Sequence, residues 1–264
     1  MTAWQQLGLL AVLAWAAMSA AWVWQRLRQN IGIVDVVWSA CLGLGALLIA
    51  VTGTGAILPR LLLAVLGGTW GLRLALHLLR RMDEGEDGRY RALRERWQGH
   101  QGKIYGLFVF QAGLVVLFAI AFTPVAANPV SQVTPLTIVG VAVWLASVAG
   151  EALADRQLAR FRRDPHNQGR TCRSGLWRYS RHPNYFFEWC HWFAYAALAV
   201  GAPSPWVSWL GPLVMYVFLR WISGVPYTEM QALRTRGDDY RAYQRTTPMF
   251  FPWFPSSDDS ARGR

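Results

Sequence analysis

Seven apolar blocks dominate this chain, at 4–24, 31–52, 59–79, 104–124, 135–154, 185–202 and 206–224. About 20 apolar residues span a bilayer as a helix, and hydrocarbon forces a spanning backbone to satisfy its own N–H and C=O groups. The last two blocks lie near the short end of that range. With 53% hydrophobic residues among 264, the chain reads as an all-α polytopic membrane protein of about seven transmembrane helices. One helical domain is expected over residues 1–254 and a disordered tail over 255–264.

The net charge of +11 follows the same blocks. With the N-terminus outside and the spans alternating, the inside segments 25–30, 80–103, 155–184 and 220–264 hold 2, 7, 8 and 7 Lys and Arg, 24 of the 26 in the chain. The outside loops 53–58, 125–134 and 203–205 carry no charge. Basic residues gather on the cytoplasmic side of a membrane. The charge therefore reports topology rather than the nucleic-acid partner that a soluble chain this basic would suggest. Small residues at 17–20 offer a possible signal-peptide cleavage point, but no basic stretch precedes them, and Arg26 and Arg28 follow. A retained first span is expected, in a multi-pass protein of the bacterial inner membrane with a cytoplasmic C-terminus. Cys41, Cys172 and Cys190 form no disulfide framework and no metal-binding pair.

Two inside segments are long enough to fold. Arg80 to Lys103 mixes both charges, with a short helix expected over Tyr90–Trp97 and a solvated, headgroup-facing loop around it. Asp155 to Asn184 extends the fifth span as a basic helix that ends at Asp164-Pro165. After Gly224-Val225-Pro226 the chain becomes amphipathic, and Phe250-Phe251-Pro252-Trp253-Phe254 reads as an interfacial aromatic anchor.

The densest polar cluster is Gly175-Leu176-Trp177-Arg178-Tyr179-Ser180-Arg181-His182-Pro183-Asn184-Tyr185-Phe186-Phe187-Glu188, at the mouth of an apolar block. Ionisable residues at membrane depth are costly unless they serve a site or a partner. Asp35, Arg73, His77, Glu151, Asp155, Glu188, His191 and Arg220 are the others of this kind. Asp35 and Arg73 pairing with each other is the simplest structural account of those two. The five His are too scattered for a di-iron bundle. No Walker loop and no Gly-x-Gly-x-x-Gly is present. A nucleotide would thus be held by side chains. Arg160, Arg162, Arg170, Arg173, Arg178 and Arg181 suit phosphates, Asn184 suits an amide, and Tyr179 and Tyr185 offer aromatic faces.

This motif resembles the signature of bacterial membrane proteins related to steroid 5-alpha-reductases. Asn30-Ile31-Gly32-Ile33-Val34-Asp35, Trp70-Gly71-Leu72-Arg73, Glu86-Asp87-Gly88-Arg89-Tyr90 and Asp239-Tyr240-Arg241-Ala242-Tyr243-Gln244-Arg245-Thr246 are similar to further motifs of that group. The resemblance implies a seven-helix membrane fold and NADPH held between the last helices and the cytoplasmic loops. It implies reduction of a carbon–carbon double bond conjugated to a carbonyl, in a hydrophobic or lipid substrate. Asn184 and Glu188 then stand at the nicotinamide side, Asp155 and Arg162 at the adenosine-phosphate side. Arg73, Arg173, Arg178, Tyr179, Arg181, His182, Tyr185 and Tyr227 complete the cofactor set. Asp35, with Glu188, is the catalytic candidate, a buried acid protonated near neutral pH that stabilises the developing oxyanion. The sequence departs from the steroid enzymes at the substrate end. Asp35 and Trp70 stand nearest to their Glu and Tyr, and Glu151 stands where an Asn is expected.

Arg181-His182-Pro183 followed by Tyr185 is also similar to the motif of isoprenylcysteine carboxyl methyltransferases and related phospholipid methyltransferases. That resemblance implies S-adenosylmethionine and methyl transfer. A non-catalytic lipid-binding protein is the third reading. The topology has a direct test. A fluorescent reporter that matures only in the cytoplasm should glow when fused after Arg264, whereas an active periplasmic phosphatase at that point would refute the seven-span arrangement.

Overall fold

A computed structural model describes residues 1–256. It is 78% helical, with no strand among the described residues. The elements are α1 (Ala3–Arg28), α2 (Ile33–Thr52), α3 (Ile57–Arg81), α4 (Gly88–Arg96), α5 (Gln101–Ala119), α6 (Thr123–Ala127), α7 (Pro135–Arg163), α8 (Pro183–Cys190), α9 (Trp192–Leu198), α10 (Leu210–Val217) and α11 (Val225–Thr246). Most of the expected tail, 257–264, lies outside the described residues. Pro255 and Ser256 lie within them, and the Ser256 N–H donates to the Thr246 carbonyl at 2.8 Å.

Six helical stretches are long and apolar enough to cross a membrane: Ala3–Arg28, Ile33–Thr52, Ile57–Arg81, Gln101–Ala127, Pro135–Arg163 and Pro205–Thr246. This is a multi-pass membrane architecture. The expected block at 185–202 is not one helix. It divides into α8 and α9, of 8 and 7 residues, each only about 10–12 Å long at 1.5 Å per residue. The division has a local cause. His191 Nδ1 lies 2.6 Å from the Glu188 carbonyl, an acceptor that an unbroken helix would give to the N–H four residues on. A side chain that takes a ladder carbonyl interrupts the helix there.

The described residues pack as two compact units, Met1–Gly140 with Tyr195–Gly211, and Val141–Ala194 with residues 212–256. In the first, α2 lies against α3, and α1 against α5 and α2. Asn128 closes part of this unit by donating to the carbonyls of Leu198 and Val200 at 2.8 and 3.0 Å.

Helix α7, which belongs to the second unit from Val141 on, is 29 residues long, about 43 Å, and so outruns a hydrocarbon core of about 30 Å. Its last turns carry Asp155 to Arg163. The loop that follows folds back onto it. Trp177 Nε1 donates to the Ala154 carbonyl at 2.9 Å, and the Leu176 N–H to Gln157 Oε1 at 2.8 Å. Helix α8 packs against α7 at Gly150, where an added Cβ would stand 2.5 Å from the Phe187 ring. Helix α11 is two arms, 225–236 and 238–246, joined at Gly237 with φ 51° and ψ −121°. Gln244 Nε2 donates to Glu229 Oε2 at 2.8 Å. Fifteen residues of straight helix would hold those groups about 22 Å apart, so the arms form a hairpin. Ala232, Tyr240 and Tyr243 pack inside it.

The Gly150 contact is testable. Gly150→Ala should destabilise the detergent-solubilised protein by about 1–3 kcal/mol, the usual cost of overpacking. Adding Phe187→Leu should recover part of the lost melting temperature; additive losses would refute the contact.

Candidate functional site

Two helices of the second unit turn polar residues toward each other. Glu151 and Asp155 are one turn apart on α7, as are Asn184 and Glu188 on α8, so each pair shares a face. Asn184 Nδ2 donates to Asp155 Oδ1 at 3.3 Å. Glu151 and Glu188 are buried, 7% and 8% exposed. Pro183 occupies the first helical position of α8, where its missing N–H costs nothing. Asp155, Asn184 and Glu188, separate candidates in the sequence, thus lie on facing helices.

The residues just before Asn184 converge on Glu229 of α11. Arg181 Nε donates to Glu229 Oε1 at 2.7 Å. His182 Nε2 and the Tyr240 hydroxyl meet the same oxygen at 3.3 Å each, and Gln244 takes the other oxygen. A carboxylate only accepts, so His182 carries its hydrogen on Nε2 in this pairing. Burial lowers the His182 pKa, opposed by the hydrogen bond and charge of Glu229 and assisted by Arg181 and Arg236. For Glu229, burial pulls its pKa upward, but hydrogen bonds from His182 and Arg181, the Arg181 charge and Gln244 outweigh it and bring the carboxyl down to about 2. Arg181 Nη1 also donates to the carbonyls of Gln244 and Thr247 at 3.0 and 2.8 Å. The His182 ring stacks on Tyr185, centroids 5.5 Å apart and 7° from parallel. The Tyr185 hydroxyl meets Thr228 Oγ1 at 3.1 Å.

The other cofactor candidates of this unit are spread around these two features. Arg173 pairs with Asp239 at 2.7 Å. Arg178 is exposed and lies over the Tyr179 ring at 6.0 Å. Tyr179 is also in edge contact with Phe254, and its carbonyl accepts from the Trp253 N–H at 2.9 Å. Arg162 is exposed near the end of α7, as are Arg156, Arg160, Arg163 and, in the next loop, Arg170. Tyr227, half-buried, lies in the first turn of α11. Arg73 belongs to the first unit, half-buried in α3.

Asp35 also belongs to the first unit, and its partners are new. Arg89 Nη2 donates to Asp35 Oδ2 at 2.5 Å, and the Tyr90 hydroxyl donates to Asp35 Oδ1 at 2.6 Å. Burial, then the Asp35 charge, pushes the Tyr90 phenol well above its ordinary pKa, despite Arg89. The cation on Asp35 is therefore Arg89, from the segment expected to be a solvated loop. Asp35 accepts in both contacts, and the hydrogen of the cluster sits on the Tyr90 oxygen. Beside it Glu86 accepts from the Ile31 N–H at 2.7 Å and pairs with Arg94 at 2.9 Å.

Sequence reasoning missed Glu229, and it assigned no role to Arg89, Tyr90 and Gln244 although they lie in the quoted motifs Glu86–Tyr90 and Asp239–Thr246. One signal was available: Glu229 is the one carboxylate in the arm 225–236. Among the described residues no group of three His, Cys, Asp or Glu could hold a metal ion.

The fold and these clusters define a multi-pass α-helical membrane protein whose polar residues are organised at helix ends. The family model described as "Protein of unknown function (DUF1295)" matches residues 21–247, and the chain belongs to that family. No curated protein and no solved structure matches.

The Glu229 cluster should make stability depend on acid. Its folded carboxyl, at about 2 against an ordinary 4.5, contributes stability that is fully present above pH 4.5 and lost as pH falls toward 2. His182, with a lowered pKa against an ordinary 6.5, adds a loss of the same sign as pH falls below 6.5. The melting temperature of the wild type should drop between pH 4.5 and 2 more steeply than that of Glu229→Gln; parallel curves would refute the assignment.

Proposed function

We propose that this protein is an NADPH-dependent membrane reductase acting on a conjugated carbon–carbon double bond of a hydrophobic substrate. The observation that carries the reading is the facing pair of helices, with Asn184 on Asp155 and Glu188 buried one turn further on. The signature that contains Asn184 and Glu188 resembles that of steroid 5-alpha-reductase-like proteins.

The residues present fit such a cofactor by their chemistry. An amide next to carboxylates suits a carboxamide, which both donates and accepts. The exposed guanidinium groups of Arg156, Arg160, Arg162, Arg163 and Arg170 suit phosphates. In this reading Asn184, Glu188 and the adjoining Asp155 hold the nicotinamide side, while Arg162, about 10 Å further along α7, holds the phosphate side. NADPH, when bound, supplies the hydride. Arg181 and His182 act from behind, through Glu229. A hydrophobic substrate enters from the bilayer.

Cofactor choice decides between this reading and methyl transfer. A ligand that binds only the folded state at a hundred-fold excess over Kd stabilises it by about 2.7 kcal/mol. NADPH should raise the melting temperature in detergent, and S-adenosylmethionine should not. Asn184→Ala and Glu188→Gln should each weaken NADPH binding by about 1–3 kcal/mol, the cost of an unpaired buried polar group. Stabilisation by S-adenosylmethionine alone would transfer the assignment to a methyltransferase.

A further inference from the structure

We infer that Glu229 is a positioning residue for the α7–α8 face, an inference that rests on reading this face as the ligand site. Glu229 is distant from Asn184 in sequence and belongs to a different helix. Its carboxylate gathers donors from two other stretches of chain: Arg181 and His182 before α8, and the returning arm of the α11 hairpin through Tyr240 and Gln244. It is 16% exposed at the side chain, and Arg181 is 11% exposed, so the pair is shielded from the solvent that weakens surface ion pairs.

The connection to the face runs through two rings. Glu229 holds the His182 imidazole by Nε2, and that ring stacks flat on Tyr185. Tyr185 is in turn tied by its hydroxyl to Thr228, the neighbour of Glu229. Residues 182 and 185 flank Asn184 and form the start of α8. The start of α11, through Thr228 and Glu229, therefore grips the N-cap and first turn of α8 at two points and sets where Asn184 and Glu188 stand against α7. Arg181 adds a third tie, since the Gln244 and Thr247 carbonyls and the Glu229 carboxylate share one guanidinium. Glu229 itself contacts Arg181, His182, Tyr240 and Gln244, so its role is to orient rather than to react.

The test uses full-length wild type, Glu229→Gln and Glu229→Asp in nanodiscs. Glu229→Gln keeps the size of the side chain and removes the charge that holds Arg181. Hydrogen exchange of the α8 amides, 184–190, should be at least tenfold faster in Glu229→Gln, with exchange over the apolar part of α7 unchanged. NADPH titration should show Kd raised at least tenfold in the folded variant. Glu229→Asp, which keeps the charge, should recover part of both effects. Unchanged α8 exchange overturns the inference, and so does faster exchange with an unaltered Kd, the result of a purely stabilising ion pair. If the wild type binds no NADPH while α8 exchange still rises only in the variants, the cofactor reading fails and the positioning role stands.

Discussion

Carboxylates set among arginines tie the polar segments of each unit together. The chain has 26 basic and 15 acidic residues, so anions are the scarcer partner. Each of four anions has more than one donor. Asp35 takes Arg89 and Tyr90, and Glu86 takes Arg94 and a backbone N–H. Asp239 takes Arg173 and the Thr171 N–H, and Glu229 takes four side chains. A partly buried ion pair is costly to break from one side, because the partner is left charged and desolvated. Each anion thus fixes a loop that apolar packing alone would leave loose.

The membrane sets the complementary constraint. Apolar helix surface is interchangeable with lipid, so it specifies little about where one polar group meets another. In the second unit that specification comes from short-range devices. Trp177 bonds the Ala154 carbonyl, Tyr243 bonds the carbonyls of Trp177 and Ser180, and Ser180 bonds that of Phe250 at 2.9 Å. Together they hold the loop before α8 between α7 and the chain after α11. The site is consequently assembled from the end of a long helix, a loop and a hairpin, each of which would present the same residues differently without the others.

Much of this organisation is legible in the residues themselves. Helical blocks at 4–24, 31–52, 59–79 and 135–154 reappear as α1, α2, α3 and α7 with shifted ends, because a long apolar run has few alternatives in hydrocarbon. The pairing of Asn184 with Glu188 on one face follows from helical spacing. The block at 185–202 misled, because composition records apolarity but not the His191 ring that takes the Glu188 carbonyl. The amphipathic stretch after 225 was legible as helix but not as a hairpin, since Gly237 is a break only when its backbone turns.

The sequence by itself determined that the chain is helical, multi-pass and basic at its polar ends, and it marked 175–189 as the segment of interest. These are local properties, set by runs of neighbouring residues and their spacing. Only the tertiary structure decided that Asp35 meets Arg89 and Tyr90, that Asn184 meets Asp155, and that Arg181 and His182 share Glu229. A charge attracts every opposite charge alike. Which one it holds is settled by the geometry that brings residues 35 and 89, or 181 and 229, within hydrogen-bond distance.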